Sequence, residues 1–231
     1  MFGATAKAAE RWAYQDLERD MATSHEEVWG HLHSEVTLLH AQWQTFLALF
    51  GVSHERVQLL NRSAGLFFSV IQQTLLRDLY VGLTRLIDPL HIRGQQNLTL
   101  ERLLLDPRVS ADQALLALTQ QKVEAAKQAC QPFRTHRNKA LAHLDLTTKL
   151  AGGRAALPGV TRKMIEDALR AIADVLNTVD QHLNGNITVF DHVYFAGGDA
   201  EALVRCLERA ERWKKEDREV RLQKRMGQQM P

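Results

Sequence analysis

Apolar positions in this chain recur every three or four residues over most of its length, the spacing that gathers side chains on one face of an α-helix. Val28, Leu32, Val36, Leu39, Trp43, Phe46 and Phe50 make the first stripe, with Ser24 and Glu27 in a capping-box pattern ahead of it. This predicts a long amphipathic helix closing near Gly51. Phe67, Ile71, Leu75, Leu79, Leu83 and Leu86 make the second, which ends at Asp88-Pro89 because proline disfavours helical backbone in the residue before it. His91 to Asn97 is polar, contains Gly94 and reads as a loop, and Leu98 to Leu105 reads as a short helix. Ser110 with Gln113 then offers a helix start, followed by Leu116, Val123, Ala126, Cys130 and Phe133. Pro132 falls inside that stripe and is expected to kink or interrupt it, so that residues 133–146 form a separate helix or a bent continuation.

Ala151-Gly152-Gly153 and Pro158-Gly159 bound a loop, after which Ile165, Ala168, Leu169, Ile172, Val175, Leu176, Val179 and Leu183 give the cleanest stripe in the chain. Asn184-Gly185-Asn186 ends it. Ile187 to Phe195 is β-prone but has no strand partner, which predicts an extended connector. Asp199 is placed to cap a last helix carrying Leu203, Leu207, Ala210 and Trp213, beyond which the stripe dissolves into charge. The pattern predicts an all-α, up-down bundle of five to six helices. Residues 1–22 read as an N-terminal extension with a short packed helix, 23–213 as one helical domain and 214–231 as a charged tail.

Composition narrows the class. Five prolines and thirteen glycines in 231 residues are few for a sandwich or barrel, which needs a turn roughly every ten residues. A chain of this length removes roughly 70% of its unfolded surface from water, enough for a core without disulfides or metal. Cys130 and Cys206 sit at positions that read as apolar and have no CxxC partner, so a reduced, cytoplasmic setting is expected. The longest apolar runs, Phe46 to Val52 and Ala64 to Val70, are too short to span a bilayer, and the amino terminus lacks the apolar stretch of a signal peptide. Trp29, Trp43, Phe67 and Phe68 fall at core spacing.

A net charge of +2 hides an uneven distribution. Residues 205–225 hold nine Lys or Arg against five Asp or Glu, and residues 131–149 hold Arg134, Arg137, Lys139 and Lys149 against Asp145. Basic character is therefore concentrated in two places. Common catalytic signatures are missing. Gly152-Gly153 and Gly197-Gly198 do not extend to a phosphate-binding loop, His25-Glu26 and His54-Glu55 lack the second histidine of a zinc helix, and no GxSxG elbow occurs. No metal or cofactor is expected.

One segment stands apart, Phe133-Arg134-Thr135-His136-Arg137-Asn138-Lys139-Ala140-Leu141-Ala142-His143-Leu144-Asp145. It packs cations, two histidines and an amide into a helix whose neighbours are apolar. Arg137-Asn138 followed by Ala142-His143 resembles the R-x(4 to 6)-H signature of HEPN domains, and the longer string is similar to the branch associated with bacterial abortive-infection systems. Leu83 to Asp88, Asn97 to Leu100 and the Tyr194 to Leu207 region extend the resemblance over roughly residues 25–215.

The resemblance implies a homodimeric bundle that cleaves RNA without metal, as a growth-arresting toxin or phage-defence effector held in check by an antitoxin protein. Arg137 and His143 would be catalytic with Asn138 positioning phosphate, and Arg134, His136 and Lys139 would contact RNA. These residue types suit the chemistry. A histidine moves protons in either direction near neutral pH, and an arginine neutralises developing charge on phosphate. At about 100° per residue, Arg137 and His143 lie about 240° apart on a helix, which favours a site composed across two protomers. Family members paired with a nucleotidyltransferase antitoxin carry Tyr two residues after the His; Asp145 stands there in this chain, so silencing through that tyrosine does not carry over.

Two other readings remain at this point. A catalytically silent dimer of the same fold would bind RNA, nucleotide or a protein partner. In plain helical packing, Arg137 would pair within the bundle with Asp88 or Asp145, and His143 would be a satisfied core histidine. The basic tail reads first as a solvated helix end laced with ion pairs.

Overall fold

The computed structural model describes residues 25–138, 159–193 and 198–227, and it is all-α in class as the pattern predicts. Its helices are α1 (His25–Phe46), α2 (His54–Arg85), α3 (Pro107–Ser110), α4 (Gln113–His136), α5 (Arg162–Asn184) and α6 (Ala200–Gly227). A π-turn over Leu47–Gly51 follows α1, and a 3-10 turn over Leu100–Leu105 precedes α3. The expected N-terminal extension, the Ser24 cap, the loop at residues 151–158 and the segment 139–146 lie outside the described residues.

Polar side chains set most of the helix ends. Thr161 caps α5 by accepting from the Met164 N–H at 3.3 Å, and Gly185, at φ 72°, ends it in the left-handed region that glycine enters without steric cost. Asp199 caps α6, its carboxylate accepting from the Ala202 N–H at 2.8 Å. For α4 the cap is Asp112 rather than Ser110, because the Asp112 carboxylate accepts from both Ala114 and Leu115 N–H groups. Ser110 instead closes α3, its hydroxyl donating to the Pro107 carbonyl. Pro132 does not interrupt α4, which continues to His136. It sits in the last turn and a half, so only the bond to the carbonyl four residues back is lost. The stretch read as a loop holds a two-strand hairpin, β1 (His91–Ile92) and β2 (Gln95–Gln96), turned by Arg93 and Gly94 with φ of 52° and 80°. Two positive φ values in a two-residue turn match the twist of paired strands.

The chain divides into two compact units, with boundaries inside α1 and α2. The first takes the chain through Leu38 and Val81–Thr188. Leu32 and Val36 from α1, Leu83 near the end of α2, Leu100, Leu115 and Phe133 are fully buried in it, as are Ile172 and Leu176 from α5. α4 packs chiefly on α5. Each such side chain contributes about 1.5–3 kcal/mol of hydrophobic stabilisation.

The second unit takes Leu39–Tyr80 and the chain from Val189 onward. Leu49, Leu59, Leu60, Phe68 and Val204 form its core, with Phe50, Ile71, Ala200 and Leu207 packed against them. Arg56 ties it by donating to the Ala48 carbonyl and to Glu201. One residue of α2, Ala64, is non-helical and kinks the element.

Several stripe positions are off by one residue. Leu115 is buried rather than Leu116 and Val204 rather than Leu203, and of the two phenylalanines expected in the core Phe68 is buried while Phe67 is exposed. Trp29 is half-buried, and Cys206 and Trp213, expected at apolar positions, are exposed. Helix α6 runs past Trp213 to Gly227 without an apolar stripe, supported by pairs such as Arg221 with Asp217 at 2.9 Å. No helix among the described residues is long and apolar enough to cross a membrane.

Candidate active site

The motif arginine is fixed by a residue 49 positions before it. Backbone N–H groups of Ile87 and Asp88 bond back to Thr84 and Arg85, winding the chain one more turn past α2 before Pro89 stops it. This carries the Asp88 side chain inward, where it is 13% exposed. From the other side, the end of α4 delivers Arg134 and Arg137, three residues apart and so on one face.

Arg137 donates from Nη1 to Asp88 Oδ2 at 2.7 Å and from Nη2 to Oδ1 at 3.2 Å, a two-point contact. Its Nε donates to Asn138 Oδ1 at 3.3 Å. Arg134 Nη2 reaches Asp88 Oδ1 more loosely, at 3.5 Å. Two guanidiniums thus share one carboxylate, leaving the group with a formal charge of +1. Both arginines also lie at the C-terminal end of α4, where the helix dipole favours cations.

The structure brings Arg134, Arg137 and Asn138 together and sets His136 apart. One position before Arg137, His136 is turned about 100° away, and it lines an open hollow of about 320 Å³ with Gln128, Gln131, Pro132, Thr135 and Met164. His143 and Lys139 lie outside the described residues. Asp88 is the addition that a catalytic reading of the motif leaves out, although Asp88-Pro89 was legible as a helix end and as a pairing option for Arg137.

Beside the ion pair is a second cavity of about 190 Å³, lined by Glu35, Arg85, Leu86, Asp88, Asn97 and Leu98. The hairpin builds its far wall. Pairing of β1 with β2 turns the chain back so that the Asn97 N–H bonds the Leu90 carbonyl at 2.8 Å and its side-chain amide donates to the Pro89 carbonyl at 2.7 Å. On the near side Arg85 pairs with Glu35 at 3.2 Å. Asp88 therefore has two roles in the geometry, holding Arg137 and forming part of this cavity.

A third polar group lies elsewhere in the same unit. Burial alone would raise the Asp106 carboxyl, but hydrogen bonds from the Arg108 side chain and N–H outweigh it and hold the group below its ordinary value. Asp106 caps α3 through one of those bonds, at 2.9 Å. Among the described residues, no group of three or more His, Cys, Asp or Glu is placed to hold a metal ion.

The family model HEPN_AbiU2, described as AbiU2, matches residues 23–203. No curated protein and no solved structure matches the chain.

Proposed function

This chain belongs to the AbiU2 family of HEPN domains, and from that premise we propose that it is a metal-independent endoribonuclease, a toxin or phage-defence effector of the abortive-infection type. RNA is cleaved by attack of a 2′-hydroxyl on the adjacent phosphorus. The hydroxyl loses its proton, negative charge builds on the phosphorane oxygens, and the departing 5′-oxygen gains a proton. His143 moves the protons, Arg137 neutralises the phosphorane and Asn138 helps to orient the phosphate. Arg134, His136 and Lys139 contact neighbouring phosphates. The site is shared between the protomers of a homodimer, and an antitoxin protein restrains it in the cell.

The observation that carries this reading is the fixed guanidinium. Asp88 and Asn138 hold Arg137 in one orientation, so its charge is in place before substrate arrives, and preorganised charge is the largest single contribution in many enzymes. The net positive charge of the arginine pair suits a polyanion.

The same ion pair also favours a second reading. Asp88 takes the end of the guanidinium that a phosphate would otherwise engage, as expected of a catalytically silent dimer that binds RNA, nucleotide or a protein partner. Incubation of the purified chain with single-stranded RNA and transfer RNA in excess EDTA separates the two. Cleavage lost in Arg137→Ala and in His143→Ala, and partly restored on mixing these variants, is the expected result for the shared enzyme site. Intact RNA at high protein concentration sinks it and leaves the binding role.

A further inference from the structure

The geometry points to a guanine-binding subsite in the cavity beside Arg137, which would make guanosine the nucleotide that this site selects. The inference takes its substrate class from the ribonuclease reading and adds a base preference to it.

Size comes first. An apolar cavity of about 150 Å³ admits a benzene ring. The cavity here, about 190 Å³ and open to solvent, has room for a slightly larger flat ring system. Leu86 and Leu98 provide aliphatic walls against which the faces of a base can lie.

The polar groups decide which base. Arg85 Nη2 and Glu35 Oε2 stand 3.2 Å apart on the rim, a guanidinium donor next to a carboxylate acceptor. Guanine presents the matching sequence along its Watson–Crick edge, with O6 as acceptor followed by N1–H and N2–H as donors. A carboxylate takes the two donors side by side while the arginine reaches O6. Adenine and cytosine place a ring nitrogen acceptor where the carboxylate needs an N–H, and uracil offers one donor instead of two. Asn97 adds an amide oxygen acceptor and a second N–H besides the one that donates to the Pro89 carbonyl.

The link to chemistry is Asp88. The carboxylate that forms part of this cavity is the one that holds Arg137. Asp88 is thus shared between the cavity that would seat the base and the ion pair that fixes Arg137. None of the described residues lining the cavity is aromatic, so hydrogen bonds at the rim have to carry the selection.

Calorimetric titration of the full chain with guanosine, adenosine, cytidine and uridine 5′-monophosphates tests the subsite without requiring catalysis. Guanosine monophosphate is expected to bind roughly ten-fold more tightly than the others, as one well-placed bidentate contact allows. Inosine monophosphate, which lacks the N2 amine, should fall toward the adenosine value. Glu35→Gln should abolish the preference while leaving the melting temperature near wild type, because Glu35 is partly exposed. Arg85→Gln should reduce the preference through loss of the O6 contact. Equal or undetectable binding of all four nucleotides overturns the subsite, and so does a preference that survives Glu35→Gln. RNA cleavage mapped by sequencing of the product ends separates the two proposals. Cutting with no base preference removes the subsite and keeps the ribonuclease, whereas guanosine-selective binding with intact RNA removes the ribonuclease and keeps the subsite.

Discussion

Replacing Asp88 with alanine tests whether one carboxylate organises this site. The substitution leaves Arg137 and Arg134 facing each other without their counter-charge. Exposed ion pairs are worth about 0.2–1 kcal/mol, and removing one partner of a fully buried pair costs about 3–5 kcal/mol. Here the side chains are 13% and 20% exposed and the contact is bidentate, so the pair sits between those limits. A loss of about 2–3 kcal/mol follows, in line with hydrogen bonds between charged groups. At about 2–4 °C per kcal/mol for a chain of this size, the melting temperature should fall by roughly 4–12 °C. Arg134→Ala removes only the 3.5 Å contact of a more exposed side chain and should cost less than about 1 kcal/mol. Thermal unfolding followed by circular dichroism measures both, and a double-mutant cycle of Asp88→Ala with Arg137→Met isolates the coupling. RNA cleavage by Asp88→Ala should fall by about two orders of magnitude, since a reacting group displaced by an ångström costs about that much. An unchanged melting temperature, or a coupling energy near zero, refutes the claim that Asp88 holds Arg137. Faster cleavage in Asp88→Ala would show that the carboxylate masks the arginine instead of positioning it.

Three further outcomes follow from the same structure. Burial pushes the Cys130 thiol up to about 12 while Cys206 is exposed, so a disulfide exchange reagent at pH 8 should modify one thiol per native chain and two in urea; two in the native state would contradict the burial. The Asp106 carboxyl is held below its ordinary value of 3.8 by Arg108, so its stabilisation is present above that pH and is lost as pH falls through the folded value. Urea unfolding should therefore show wild type exceeding Asp106→Asn at pH 7, with the gap closing as pH falls below 3.8, and a gap independent of pH would refute the assignment. Leu176→Ala empties a fully buried position and should cost about 2–5 kcal/mol, whereas Leu66→Ala, at 83% exposure, should stay within about 0.5 kcal/mol; similar losses in the two would contradict the packing.

How far the amino-acid sequence reaches differs between the fold and the site. Helix periods and ends were legible because their causes are local. Gly51, Asp88-Pro89, Gly185 and Asp199 act on backbone within a few residues, and the resemblance to HEPN domains was carried by a short string. Choices between neighbours were not legible, since Phe67 and Phe68 both continue a spacing of three or four and only packing against Leu60 and Val204 decides which is buried. Ser110 with Gln113 was the cap the sequence offered for α4, and it is the Asp112 carboxylate, which reaches two N–H groups, that caps it.

For the site, the sequence by itself determined that Arg134, Arg137 and Asn138 lie within one helical turn or so of each other. That much follows from a rise of about 1.5 Å and a rotation of about 100° per residue. It offered Asp88 as one of two carboxylates able to meet Arg137, because pairing across 49 positions is a property of how helices pack and leaves no periodic trace along the chain. Only the tertiary structure decided that Asp88 binds Arg137 at two points, that Arg134 shares it, and that His136 faces a different hollow. Chain connectivity dictates which groups are near in sequence, and the burial of apolar faces dictates which distant groups are pressed into contact.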